Sequence, residues 1–145
     1  MRHLVLAGGP GHDFEGIAAS LAHLTAEVHG DEAATIVLTD PASVLDRLRA
    51  VEAGDEEPWG LLTVAALRWR MEVERYADQR DAAYTLTDDD AAVIERHVTG
   101  GGGLLALHTA VICFDAQPRW RRLCGAAWDW EASSHPPAGP VPVEG

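Results

Sequence analysis

The run Gly100-Gly101-Gly102-Gly103-Leu104-Leu105-Ala106-Leu107-His108-Thr109-Ala110 constrains this chain more than any other. Glycine is a poor helix former and a good helix stop, so the run closes the helix before it. The apolar residues that follow predict a short buried strand over Gly103–Leu107, and His108 stands where that strand must end. In open α/β sheets ligands collect at the carboxyl ends of the strands, which places a polar side chain where it can meet one. Ala106 and Ala110 lie two residues on either side of His108. Small neighbours at those offsets are what a nucleophile elbow needs, because its central residue is held on a cramped strand-to-helix turn. The central residue here is His rather than Ser or Cys.

The rest of the chain alternates between strand and helix signals. His3–Ala7 is an apolar run closed by Gly8-Gly9-Pro10-Gly11, and Phe14 to Val28 carries Ile17, Leu21, Leu24 and Val28 at helical spacing. Thr35–Leu38 reads as a second strand. Asp40-Pro41 opens a helix, with Asp as N-cap and Pro in the first turn, where its missing N–H does no harm. Trp59–Val64 reads as a third strand. Thr87-Asp88-Asp89-Asp90 matches a capping box, and Val93, Ile94, His97 and Val98 form the inner face of its helix. Leu67 to Asp81 is ambiguous, a short helix or an edge excursion. The order βαβαβ, an irregular stretch, then αβ predicts an open, mostly parallel, doubly wound α/β sheet in a single domain over residues 1–145. The prolines after Ser134 predict a Pro/Gly-rich irregular tail over residues 132–145.

Composition excludes several functions. Acidic side chains outnumber basic ones 23 to 11, for a net charge of -12. Such a surface repels phosphate backbones and anionic lipid, so neither nucleic acid nor a membrane is an expected partner. No apolar run approaches the ~20 residues that span a bilayer, and the N-terminus reads as a strand, not a signal peptide. Cys113 and Cys124 read as reduced thiols of a cytoplasmic protein. The sequence has no lysine, which excludes a Walker A loop and Schiff-base chemistry.

Several residues are candidates for chemistry. His108 suits general acid–base catalysis, since an imidazole titrates near pH 6.5, or metal ligation, or a structural role at a strand end. His12 and Asp13 follow the first strand and should face the same crevice, although Asp13 also suits a helix N-cap. Thr109, next to His108, is grouped with them as ligand-binding. Cys113 lies five residues past His108; it is either a thiol nucleophile or a small buried apolar group. Trp120, Trp128 and Trp130, with Arg119, Arg121, Arg122 and Asp129, suggest either sugar stacking or packing in a core or subunit interface.

Three segments together resemble the trehalose-utilisation (ThuA-like) family: Gly8-Gly9…Gly11-His12-Asp13, the glycine run through Ala110, and Trp120…Leu123-Cys124-Gly125…His135-Pro136. The resemblance implies a class I glutamine-amidotransferase-like, flavodoxin-like fold. It also implies carbohydrate utilisation, with a small polar sugar or oxidised sugar derivative as ligand. The amidotransferases carry a catalytic Cys at the elbow; His108 at that position argues against glutamine hydrolysis. Family members continue past the His-Pro pair with further strands, so the chain is expected to be a truncated or minimal member lacking the C-terminal part of the fold. His135 joins His12 and Asp13 as an expected ligand-binding residue. His12, His108 and His135 together would suit a divalent metal such as zinc. The resemblance leaves open whether the chain is an enzyme; if it is one, it is a sugar-modifying or hydrolytic enzyme using His108 and not a glutamine amidotransferase. The alternative is a non-catalytic binding or dimerisation module, a homodimer on a fold that has lost its elbow Cys.

Overall fold

β1 (Arg2–Gly8) is the strand on which the others are laid. Its residues from His3 to Ala7 are all buried, as expected of a central strand in a parallel sheet with both faces covered. In a computed structural model describing residues 1–134, 137, 139, 140 and 142, β2 (Ala34–Leu38) pairs with one side of β1. β3 (Leu61–Ala66) pairs with the other side, and β4 (Gly103–Ala106) lies outside β3. All pairs are parallel and the order is β2-β1-β3-β4, so the fold is an open α/β sheet with the strand order of flavodoxin-like proteins. The chain reverses its direction of travel across the sheet between β1 and β3, which makes the carboxyl ends of those strands the topological switch point.

Among the described residues four α-helices cover the sheet unequally. α1 (Phe14–His29) lies on one face, packed on β1 with β2 and β3 beside it. α2 (Pro41–Ala53), α3 (Asp88–Thr99) and the short α4 (Pro118–Cys124) share the other. Their starts follow from sequence. Asp13 accepts from Gly16 N at 2.9 Å, Asp40 from Ser43 N at 3.0 Å, and Thr87 and Asp90 form both halves of a capping box. The fully covered face holds the larger core, built on Leu4, Leu6, Leu62 and Val64. The α1 face holds a smaller one around Val5, Ala7, Phe14 and Ala18.

Three features differ from the sequence reading or complete it. β3 begins at Leu61 rather than Trp59, because the Trp59 ring is packed beneath the Arg2 guanidinium, 3.9 Å from its centroid. The ambiguous stretch contains a 3-10 helix (Glu74–Ala82). It is held by Trp69 against Tyr76 and by Arg68, which donates to Ala82 O at 3.2 Å and to Thr39 O at 3.0 Å. The glycine run is a tight reversal: Gly101 has φ +100°, and a Cβ on Gly102 would lie 2.1 Å from the His97 ring. Both cysteines are free, and among the described residues no helix is long and apolar enough to cross a membrane.

One polar group is sealed beneath α1. His3, on β1, lies 2.9 Å from Thr25 Oγ1 on α1 and 2.7 Å from Thr63 Oγ1 on β3. Thr25 donates its proton to Leu21 O, so it must accept from His3 Nδ1–H, leaving Nε2 to accept from Thr63. That assigns a neutral tautomer, and burial lowers the pKa of His3 below 6.5. The unfolded chain binds a proton at His3 that the folded chain resists, so stability is full above pH ~6.5 and falls as pH drops below it. Urea midpoints should therefore decline between pH 6.5 and 5, with a shallower slope in His3→Gln; equal slopes would remove His3 as the cause.

Candidate functional site

β4 ends at Ala106, and the chain turns through His108 into a single 3-10 turn (His108–Val111). His108 has φ +55°, in the left-handed region that non-glycine residues seldom occupy. The elbow expected from small neighbours is therefore present in the backbone itself. It runs into one 3-10 turn rather than a long helix, so no extended helix dipole points at His108. After Val111 the chain dives inward at Cys113 and Phe114, the latter also left-handed at φ +53°.

Buried groups hold this turn. Thr109 Oγ1 donates to Ala66 O at 2.7 Å, at the carboxyl end of β3, and Cys113 Sγ donates to the same carbonyl at 3.0 Å. Trp120 is 1% exposed and donates its indole N–H to Ala110 O at 3.0 Å. Ala110 is itself fully buried, which leaves no room for a larger residue without displacing core. His108, by contrast, is exposed above the turn.

The loop after β1 reaches the same place. Gly9 has φ +125°, and a Cβ there would lie 2.3 Å from Leu67 O, so the loops leaving β1 and β3 touch backbone to backbone. Beyond that contact His12 comes to His108: Nδ1 of His12 is 3.4 Å from Nε2 of His108, with ring centroids 4.8 Å apart and planes at 88°. Below the pair runs a groove of about 640 Å³ between α1 and β4. Ile17, Leu21, Leu105 and Leu107 form its walls, and His12, Asp13 and His108 its polar end.

Other expected site residues take different places. Asp13 lines the groove but spends one carboxylate oxygen on Gly16 N. Thr109 is 5% exposed with its hydroxyl turned onto Ala66 O, so its contribution is the position of the elbow. His135 lies outside the described residues, and among those described no three His, Cys, Asp or Glu groups are arranged to hold a metal. Cys113 is fully buried, and burial pushes its thiol up to about 12, far from the thiolate a nucleophile needs. Cys124 is pushed up to about 11 by the same cause.

The tryptophans divide. Trp120 is core. Trp130 stacks near Trp69 and Tyr76 and donates to Asp115 Oδ2 at 3.3 Å, beside the fork that Arg70 makes on the same carboxylate. Arg119 pairs with Glu95 on α3, and Asp129 is spent on the turn at Glu131–Ser133. The Asp115 hub, which pins the segment after α4 to the segment after β3, had no signal in sequence beyond the clustering of aromatic residues.

Fold and site together define an open parallel α/β protein with an exposed histidine pair at the strand ends. Compared with protein-family models, curated proteins and solved structures, the chain matches none.

Two outcomes test this geometry. His108→Gly should be more stable than His108→Ala by about 1 kcal/mol in urea, because only glycine occupies the left-handed region without strain; equal stabilities would contradict φ +55°. Native Cys113 and Cys124 should resist alkylation at pH 8 until the protein is unfolded, as followed by mass spectrometry.

Proposed function

We propose that the protein binds a small polar, sugar-type ligand in the groove at the carboxyl ends of its strands, with His108 and His12 as its contacts. The observation that carries this reading is the left-handed backbone of His108. Strain of this kind persists only where the surroundings impose it, and it concentrates at functional sites. The packing that imposes it here ends in an exposed imidazole rather than a buried one.

The groove has the composition such a ligand needs. Aliphatic walls from Ile17, Leu21, Leu105 and Leu107 suit the C–H faces of a sugar, and the imidazoles and Asp13 suit its hydroxyls. A second cavity of about 480 Å³, between α2 and α3, suits it less. It lies at the amino ends of β3 and β4, and its Arg96 is already paired with Glu52. The resemblance to ThuA-like proteins adds trehalose or a related sugar as the ligand class, and a glutamine-amidotransferase-like ancestry for the elbow. In a catalytic version His108 is the acid–base group, and His12, at its edge, sets its orientation. A thiol mechanism is disfavoured by the sealing of Cys113.

A second reading, a non-catalytic module that pairs with a copy of itself, is favoured by one observation. Leu24, Val28 and Leu105 are exposed at 55%, 75% and 39% on the half-covered side of the sheet. A face shared by two copies around a two-fold axis would cover them.

Both readings are tested with one set of proteins. A thermal-shift and calorimetric panel of disaccharides, hexoses, polyols and sugar acids should give at least one ligand for the wild type, with binding weakened at least about tenfold in His108→Gly, equivalent to about 1.4 kcal/mol. No ligand from the panel, with a dimer in light scattering that Leu24→Asp dissociates, would favour the second reading over the first.

A further inference from the structure

The contact between the two imidazoles is long for a hydrogen bond and matches the spacing of two nitrogen ligands on one metal ion. An N–H···N hydrogen bond is expected near 2.9–3.0 Å, by analogy with N–H···O bonds. Nε2 of His108 and Nδ1 of His12 stand 3.4 Å apart. Two nitrogen ligands of a tetrahedral zinc ion, each ~2.0–2.1 Å from the metal, are separated by about 3.3–3.4 Å. The rings stand T-shaped, with planes at 88° and centroids 4.8 Å apart, so one imidazole must swing for both lone pairs to reach the same ion.

The backbone segments that carry the two side chains are held by independent supports. His108 rides on the elbow fixed by Thr109, Cys113 and Trp120. His12 precedes the Asp13 cap of α1, and its carbonyl accepts from Phe14 N at 3.0 Å. Backbone already placed loses little freedom on binding.

We propose that His12 Nδ1 and His108 Nε2 form a two-histidine seat for a divalent cation of the zinc class. Imidazole is the donor such ions share, and calcium and magnesium avoid it. Among the described residues no third protein ligand joins the pair. A polar ligand in the groove would offer adjacent hydroxyl or carboxylate oxygens to the same ion. This last element rests on the reading of the groove as a ligand site, and it narrows the ligand class to chelating polyols and sugar acids.

The test is calorimetric titration of EDTA-treated protein with Zn2+, repeated with Co2+ to follow the d–d absorption of the bound ion. Wild type should take up one ion per chain. His12→Ala and His108→Gly should each weaken uptake at least about tenfold, and circular dichroism checks that each is folded. His23→Ala controls for the His23–Glu27 pair on α1 and should bind as wild type does. No uptake, or uptake unchanged in both site variants, would overturn the proposal. Repeating the sugar panel in EDTA separates the two ideas. Polyol binding without zinc binding removes the metal seat alone. Zinc binding without polyol binding keeps the seat and removes the ligand reading.

Discussion

The carbonyl of Ala66 is the point on which the site depends. It lies at the carboxyl end of β3, two residues past the last pairing of β3 with β4, at Val64 and Ala106. Two side chains from the elbow, Thr109 and Cys113, donate to it in place of a fourth-strand amide. A buried carbonyl without partners costs about 1–3 kcal/mol, so the turn is drawn down onto β3. That leaves His108 no room to relax from its left-handed conformation. Trp120, bonded to Ala110 O, closes the turn from the other side. A residue that sequence marks as ligand-binding, Thr109, and one that it marks as a possible nucleophile, Cys113, are thus both employed in holding a third.

The uneven covering of the sheet explains where the groove lies. Strands about 4.8 Å apart make a four-strand sheet roughly 15–19 Å wide, while one helix is about 10 Å across. α1 alone therefore shields about half of its face. The exposed half falls over β4, where Leu105 and Leu107 point outward beside Ile17 and Leu21. On the opposite face three helices complete the core, and Leu104 and Ala106 pack into it. An apolar groove with histidines at its end follows from this asymmetry, in a molecule whose other surfaces are dominated by carboxylates.

Much of this was legible in the chain because local physics fixed it. Asp13, Asp40-Pro41 and the Thr87–Asp90 box set the starts of three helices to the residue, and the alternation of elements required a parallel sheet. The elbow was legible through Ala106 and Ala110, since a cramped turn tolerates little else. Long-range packing was not. The start of β3 shifted because a guanidinium from β1 captured Trp59. The stretch after β3 took a 3-10 helix because Arg68 and Trp69 found partners distant in sequence. The meeting of His12 with His108, 96 residues apart, was expected from fold alone, and no spacing rule could supply its distance. The family resemblance stands as a proposal, carried by the histidine elbow and its glycine-rich companion loop.

The central claim is that the loop after β1 and the elbow after β4 converge on one histidine pair. Nuclear Overhauser spectroscopy of the imidazole protons tests it without any ligand. The account predicts a cross-peak between the His12 and His108 rings, lost in His12→Ala, alongside the His12–Phe14 contact whose ring centroids lie 5.6 Å apart. If His108 shows cross-peaks only to its own turn and to Leu107, the two loops do not meet, and the site as described does not exist.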